Sequence, residues 1–235
     1  MYFGDTALDV QQIGSSSIHD IKSKPIINIA VGVSSFEGLS DMKIRRKQSM
    51  ALFYLVRHGQ PDYSPCDERG YIGHGRDLAP LSEEGIDQAE RTAKDVRLMG
   101  ADIIVSSPYT RALQTAAIIS KNTGIDIKVE MDLHEWMPDL TFQYKEFPEC
   151  LQLNEDFNKH QGVYTEAETL RWECLQHLRE RVRKVADKYA DYNKVIIVCH
   201  GMVIRTLTYA EEIKPAEIIV CKYVVGQPDC IYSFA

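Results

Sequence analysis

The 235-residue sequence lacks long hydrophobic runs, and no apolar stretch approaches the roughly 18 residues that a membrane-spanning helix needs. Its N-terminus shows no basic segment followed by an apolar one, the pattern of a secretory signal. The six cysteines form no CxxC pair and have no regular spacing, so zinc ribbons and thioredoxin-like redox motifs are not supported. We therefore expect reduced thiols and a cytoplasmic protein with no membrane partner.

The sequence also lacks an excess of positive charge, because 34 acidic residues against 27 Lys and Arg give a formal net charge of −7. This acidity argues against nucleic acid as a partner, although a locally positive pocket could still bind a small anionic substrate. Neither a Walker loop nor a Gly-rich dinucleotide fingerprint follows a strand, and no HxH or HExxH spacing occurs. We therefore expect no cofactor and no metal ion.

Two parts of the chain differ in composition. Residues 1–49 contain clusters of small and polar residues and end in the basic run from Lys43 to Lys47. We interpret them as an N-terminal extension that is partly disordered, with Met50 as a candidate natural start. Residues 50–235 form the main domain.

Short apolar runs alternate with helical patterns in the main domain. Strands are predicted at residues 52–56, 103–105, 127–129, 195–198, 222–225 and 231–234, and helices at 82–100, 108–121 and 165–189. This alternation predicts an α/β three-layer sandwich, with a mostly parallel central sheet and helices on both faces. The segment from about 131 to 164 is rich in aromatic residues and proline, and we interpret it as an irregular cap or insertion.

Several candidate site residues follow strands directly. Arg57 and His58 come after the first predicted strand, and His200 comes after the strand at 195–198. Arg111 lies about one helical turn after a third strand end. Ligands bind beyond the carboxyl ends of strands in open α/β sheets, so these four residues should converge. Two arginines and two imidazoles suit a phosphate dianion.

Four segments occur in a fixed order at strand–loop–helix positions: LVRHG at 55–59, LSEEGIDQA at 81–89, SSPYTRALQTA at 106–116 and VCHGMVIR at 198–205. Together they resemble the motifs of the histidine phosphatase superfamily, also called the phosphoglycerate mutase-like superfamily. The resemblance covers about residues 51–234. It implies that His58 attacks phosphorus and forms a phosphohistidine, while Arg57, Arg111 and His200 bind the phosphoryl group.

The resemblance also implies a carboxylic acid that protonates the leaving oxygen and later activates water. In the family this acid lies in an LxE pattern after the third strand. Leu133-His134-Glu135 fits the pattern, so Glu135 is the candidate, with Asp132 and Glu130 as alternatives.

Departures from the family pattern bear on the type of reaction. Ser64 stands where mutases of the family have asparagine, and no long insertion rich in Tyr, Lys and Arg is present. Ser64 and Gly201 are further candidate substrate contacts. We therefore expect a metal-independent phosphomonoesterase that acts on a small phosphorylated metabolite or a phosphoprotein.

Two alternatives remain open. One is a phosphoglycerate-type mutase, and the other is a catalytically silent phosphate-binding regulatory module. The predicted edge strand at 231–234 could also pair across a homodimer.

Overall fold

The chain separates into two compact units, Met1–Arg46 and Lys47–Ala235. In the first unit, β1 (Ala7–Ile13) pairs antiparallel with β2 (Asn28–Val33). The basic run from Lys43 to Lys47 lies outside the described residues. The computed structural model describes residues 7–13, 28–33, 50–144, 147–164 and 171–234.

The second unit is built on a five-stranded sheet in the order β5-β4-β6-β3-β7. Four neighbouring strands are parallel, and only β7 runs antiparallel to its neighbour β3. The mostly parallel central sheet is thus confirmed. Its strands are β3 (Met50–Arg57), β4 (Ile103–Ser106), β5 (Ile127–Val129), β6 (Lys194–Cys199) and β7 (Ile218–Val224).

Helices cover both faces of this sheet. They are α1 (Ser64–Asp67), α2 (Glu83–Ala93), α3 (Thr110–Thr123), α4 (Phe147–Lys159), α5 (Leu175–Lys188) and α6 (Gly201–Leu207), with 3-10 turns at Gly73–Leu78, Val96–Leu98 and Met131–Leu133. None of the helices in the described ranges is both long and apolar enough to cross a bilayer.

The alternation of side chains along β6 explains the layers. Val195 and Ile197 belong to one buried apolar cluster, which includes side chains of α5 and α6. Ile196 and Val198 belong to a second cluster, which includes side chains of α3. Successive residues of a strand point to opposite faces, so a continuous run of apolar residues buries both faces of the sheet. The three-layer α/β sandwich is therefore confirmed.

Two helices are shorter than the sequence predicted. The helix expected at 82–100 ends at Ala93, because the Asp95 side chain accepts a hydrogen bond from the Arg97 amide and starts a separate 3-10 turn. The helix expected from residue 165 begins at Leu175. Its predicted first turn, 165–170, lies outside the described residues, and 171–174 are not helical. The Glu173 amide instead donates to the carbonyl of Met137, 2.9 Å away.

The cap segment contains more regular structure than expected. Residues 147–159, predicted to be irregular, form α4, which buries Leu153 and Phe157 four residues apart on one face. The strand predicted at 231–234 is absent, because this stretch folds back and places Tyr232 and Phe234 against Phe157. The argument for a homodimer from that strand is lost with it.

Candidate active site

The neighbouring strands β3 and β6 end in register, and a histidine follows each of them. Arg57, the last residue of β3, lies opposite Cys199, the last residue of β6. The next residues are His58 and His200, whose ring centroids are 5.1 Å apart. The His58 amide donates to the Cys199 carbonyl at 3.0 Å, which fixes the turn out of β3. The structure thus brings together the two histidines that the sequence analysis singled out.

His58 is held as a neutral imidazole with a defined tautomer. Its Nδ1 lies 2.7 Å from the carbonyl oxygen of Gly59, which can only accept, so Nδ1 carries the proton. The lone pair is therefore on Nε2. Burial of the ring lowers the pKa of His58 to about 3, and the positive charges of Arg111 and Arg57 act in the same direction.

Arg111 faces this lone pair from the first turn of α3. Its Nε donates to His58 Nε2 at 3.3 Å. Its Nη1 donates to Oδ1 of Asp77 at 3.2 Å, and the other oxygen of Asp77 lies 2.8 Å from Nδ1 of His74. Asp77 and His74 belong to the 3-10 turn Gly73–Leu78, which the motif analysis did not point to. The guanidinium is thus held from one side, with its Nε edge toward Nε2 of His58.

Two further nitrogens beside this centre are buried without a hydrogen-bond partner among the described residues. One is Nε of Arg57, whose Nη1 donates to the carbonyl of Ile213 at 2.5 Å. The other is Nδ1 of His200, whose Nε2 lies 2.7 Å from the Ser107 hydroxyl. Burial lowers the pKa of His200 well below its usual value. Buried polar nitrogens normally have partners, and the oxygens of a bound phosphoryl group would supply them.

Glu135 lies at the cavity wall, just after the turn Met131–Leu133. One carboxylate oxygen accepts from the Trp136 amide at 2.9 Å, and burial raises the pKa of the carboxyl group. The two alternative acids face α5 instead. Glu130 bonds to Lys188 and Tyr189, and Asp132 lies 3.8 Å from Lys184. Of the three candidates, Glu135 alone lines the cavity described below.

An ion pair between Arg181 of α5 and the buried Glu173, two residues before that helix, holds the backbone around Glu135. Arg181 donates from Nε and Nη2 to the two oxygens of Glu173, at 2.6 and 2.8 Å. The same guanidinium donates to the carbonyls of Asp132, His134 and Glu135 at 2.7, 2.8 and 3.2 Å. The motif search missed this clamp, because its two partners lie outside all four segments.

A cavity of about 340 Å³ adjoins these groups, and its walls include Arg57, Tyr63, Asp77, Tyr109, Arg111 and Glu135. His58 and His200 do not line it themselves, but Arg111, which donates to His58, does. Ser64 is exposed and does not line it, whereas its neighbour Tyr63 does. Gly201 is buried at the start of α6, where an added Cβ would lie 4.0 Å from Nε of Arg57. Among the described residues, no group of three His, Cys, Asp or Glu side chains is arranged to hold a metal ion.

The loop after β3 is fixed by a close backbone approach. A Cβ on Gly59 would lie 2.4 Å from the carbonyl oxygen of Gly85, and a Cβ on Gly85 would lie 2.1 Å from that of Gln60. Any side chain at either position would collide with backbone. The glycines of the first two motif segments thus let the first turn of α2 contact the loop that carries His58.

Comparison with known proteins places the chain among phosphatases and mutases. Residues 53–221 match the family model described as histidine phosphatase superfamily (branch 1). The chain is 33% identical over 161 residues to "Uncharacterized phosphatase PhoE" of Bacillus subtilis (strain 168), covering 67% of this chain and 76% of that protein. It is 27% identical over 163 residues to "Probable phosphoglycerate mutase GpmB" of Cronobacter sakazakii, covering 67% and 73%.

The solved structures include phosphoglycerate mutase from Bacillus anthracis, with a TM-score of 0.55 and 17% identity. The similarity covers 79% of this chain and 93% of that one, and it supports the fold. The family match extends over most of the described second unit and includes His58, Arg111 and His200. The chain belongs to the histidine phosphatase superfamily, branch 1.

Proposed function

We propose that this protein is a metal-independent phosphomonoesterase that acts through a phosphohistidine at His58, on a small phosphorylated metabolite or a phosphoprotein. The observation that carries the proposal is the state of His58. Its imidazole is neutral, its Nδ1 proton is held by the Gly59 carbonyl, and its Nε2 lone pair faces the Arg111 guanidinium. A nucleophilic imidazole needs this tautomer beside a group that binds phosphate oxygens.

In the first step, Nε2 of His58 attacks phosphorus, and the bond from phosphorus to the ester oxygen breaks in line. Arg57, Arg111 and His200 bind the equatorial oxygens and offset their charge. The leaving oxygen takes the proton of Glu135, whose raised pKa favours the protonated form. The products of this step are the alcohol, the Glu135 carboxylate and phosphohistidine.

In the second step, water attacks the phosphohistidine. The Glu135 carboxylate accepts a proton from that water as its oxygen bonds to phosphorus, and the phosphorus–nitrogen bond breaks. Inorganic phosphate leaves, while His58 regains its lone pair and Glu135 its proton. The Gly59 carbonyl holds the Nδ1 proton throughout, so the ring keeps its orientation.

The charges of the cavity favour hydrolysis over the mutase reaction, in which a phosphoryl group moves within one substrate. A mutase must hold a second anionic group while it moves a phosphoryl group within one substrate. Apart from Arg57 and Arg111, the basic side chains of the described cavity wall are Arg76, which is paired with Asp67, and His74, which is bonded to Asp77. Neither side chain can bind a second anionic group without breaking its bond to an aspartate.

The cytoplasm is the proposed setting, and six free thiols support it, because reduced cysteines are typical of that compartment. The proposal includes no cofactor and no nucleic-acid partner.

The first experiment measures hydrolysis of p-nitrophenyl phosphate with a chelator present, followed by rapid acid and alkaline quenching. We expect turnover to survive chelation and a covalent phosphoenzyme that is stable to alkali and labile to acid. His58→Ala should lose about 10³-fold or more in kcat. The matched control is His177→Ala, which removes an exposed histidine of α5. Equal turnover of His58→Ala and wild type would overturn the mechanism.

A further inference from the structure

The cap segment forms one end of the cavity, and large apolar and aromatic side chains predominate in its wall there. The cap segment contributes Phe142, Tyr144, Phe147 and Leu151, and Tyr63 also lines the cavity. Phe142, Phe147 and Leu151 keep 42%, 55% and 47% of their surface exposed. Large apolar side chains grouped on a concave surface, rather than scattered over a convex one, are typical of a site that buries an apolar ligand.

The basic side chains described near this end are already bonded within the protein. Arg76 is almost fully buried, forms an ion pair with Asp67 and lies over the Tyr63 ring, with 5.2 Å from its guanidinium carbon to the ring centroid. His74 is bonded to Asp77 and has its ring 4.1 Å from that of Phe142. In the part of the wall that the structure describes, a second phosphate or a carboxylate would therefore meet aromatic rings rather than a free positive charge.

The acidic groups of this wall are also paired. Asp139 is buried, and its oxygens accept from the Thr141 hydroxyl and from the Thr141 and Gln143 amides. It lies 3.7 Å from Arg171. Because these bonds already occupy its carboxylate, Asp139 is not free to bind an amine on the substrate. Among the wall residues that the structure describes, the apolar side chains and the paired charges both favour a neutral ligand.

We infer that the substrate is a phosphomonoester whose remaining part is apolar or aromatic and carries no second anionic group. This inference rests on the proposed function, because it concerns the leaving group of the same reaction. The phosphoryl group would lie at His58 and Arg111. The apolar part would extend from there between Tyr63 and the side chains of Phe142 and Phe147.

The test uses three primary alkyl esters whose leaving groups have similar reactivity: propyl, 3-phenylpropyl and 3-carboxypropyl phosphate. We expect kcat/KM for the phenylpropyl ester to exceed that for the propyl ester by about tenfold or more. The carboxypropyl ester should fall below the propyl ester. Phe147→Ala should lower the ratio of phenylpropyl to propyl kcat/KM about tenfold. Tyr209→Ala, which removes an aromatic side chain that is 54% exposed and outside the cavity, should leave the ratio unchanged.

A binding measurement separates this inference from the proposed function. The dissociation constants of butyl, 4-phenylbutyl and 4-carboxybutyl phosphonate, which cannot be hydrolysed, are measured by calorimetry on the full chain. Tighter binding of the phenylbutyl compound supports the inference even if no ester is hydrolysed, in which case the proposed function alone falls. Equal affinities, or tightest binding of the carboxybutyl compound, would overturn the inference while leaving a hydrolase intact.

Discussion

Arg111 presents a particular edge of its guanidinium to His58, and Asp77 holds the opposite side. The planar guanidinium can bind two phosphate oxygens only from a correctly turned edge. Because Asp77 binds Nη1, Nε remains directed at His58 Nε2, the atom that a phosphoryl group must approach. We therefore propose that Asp77 is a positioning residue that acts through Arg111.

We expect Asp77→Asn and Asp77→Ala to behave differently. Asparagine keeps an oxygen that accepts from Arg111 but removes the charge that offsets it. Inorganic phosphate should then inhibit more tightly, by about two- to tenfold, with kcat changed only a few-fold. Alanine frees the guanidinium, and kcat/KM should fall about 10- to 100-fold. The inhibition constant of inorganic phosphate and kcat/KM, measured for both variants, test this expectation. Identical behaviour of the two variants would contradict a positioning role.

If the proposed mechanism holds, the pKa shifts of His58 and Glu135 predict how kcat/KM depends on pH. His58 must be unprotonated to attack phosphorus. Because its pKa is about 3, it stays unprotonated at mildly acidic pH. Glu135 must be protonated in the first step, so kcat/KM should decline as the pH rises through its raised pKa. After correction for substrate ionisation, we expect a profile that is flat at mildly acidic pH and falls on the alkaline side.

Glu135→Gln should remove that alkaline decline. With p-nitrophenyl phosphate, whose leaving group needs little protonation, the first turnover should persist while steady-state turnover falls about 10²- to 10⁴-fold. Phosphoenzyme should accumulate, and rapid quenching would detect it. Asp132→Asn serves as the control, since Asp132 does not line the cavity. An unchanged steady-state rate in Glu135→Gln would exclude Glu135 as the acid and base.

The sequence predicted the motif residues of this site but not the residues that orient them. His58, Arg111 and His200 lie at fixed distances from strand ends, so a local pattern locates them. Asp77 and Tyr63 reach the cavity from a stretch without a regular hydrophobic period. Their placement depends on how the loop after β3 folds back, for example through the hydrogen bond from the Gly73 amide to the Tyr144 carbonyl.

Among the helices, α5 has a role beyond packing, because its Arg181 clamps the segment that carries Glu135. Glu173, the partner of Arg181, is almost fully buried. Removing one member of a buried pair leaves an uncompensated charge, which costs about 3–5 kcal/mol. The clamp therefore contributes both to stability and to the position of the acid.

Arg181→Met should lower the free energy of unfolding by about 3–5 kcal/mol and also reduce kcat/KM. Adding Glu173→Gln removes the stranded charge, so the double variant should be more stable than Arg181→Met alone. Urea denaturation of the wild type and of both single and double variants measures this difference. Arg183→Met is the matched control, because Arg183 lies on the same helix and pairs with the partly exposed Asp229. A double variant no more stable than Arg181→Met would refute the explanation by buried charge.

Regular elements were predictable where the hydrophobic period was unbroken. The strands β3, β4, β5 and β6 follow from short apolar runs, and Ser82 caps α2 as its position suggested, by accepting from the Gly85 amide. The errors occurred where tertiary contacts compete with local preference. Residues 171–174 form backbone hydrogen bonds with the cap segment and are not helical. In residues 231–234, Tyr232 and Phe234 pack their rings against the core without joining the sheet.

For the whole molecule, the division into two units places the candidate active site in the second one. The family match, the five-stranded sheet and every group of the site lie within Lys47–Ala235. A compact unit with its own buried core is expected to fold independently.

A chain that consists of residues 50–235 should therefore keep the activity. We expect its kcat/KM to lie within about twofold of the full chain and its thermal midpoint to differ by only a few degrees. Parallel assays and calorimetry of the two proteins provide the measurement. A shortened protein that folds but loses turnover would show that residues 1–49 contribute to catalysis.

The pairing of Arg57 with Cys199 has a consequence for how this chain can vary. Successive side chains of a strand point to opposite faces, so inserting or deleting one residue within β3 or β6 would turn one imidazole away from the other. Loops and the cap can change length without this effect. Insertions and deletions among functional descendants of this sequence should therefore be excluded from these two strands and concentrate in the segments that shape the leaving-group end of the cavity.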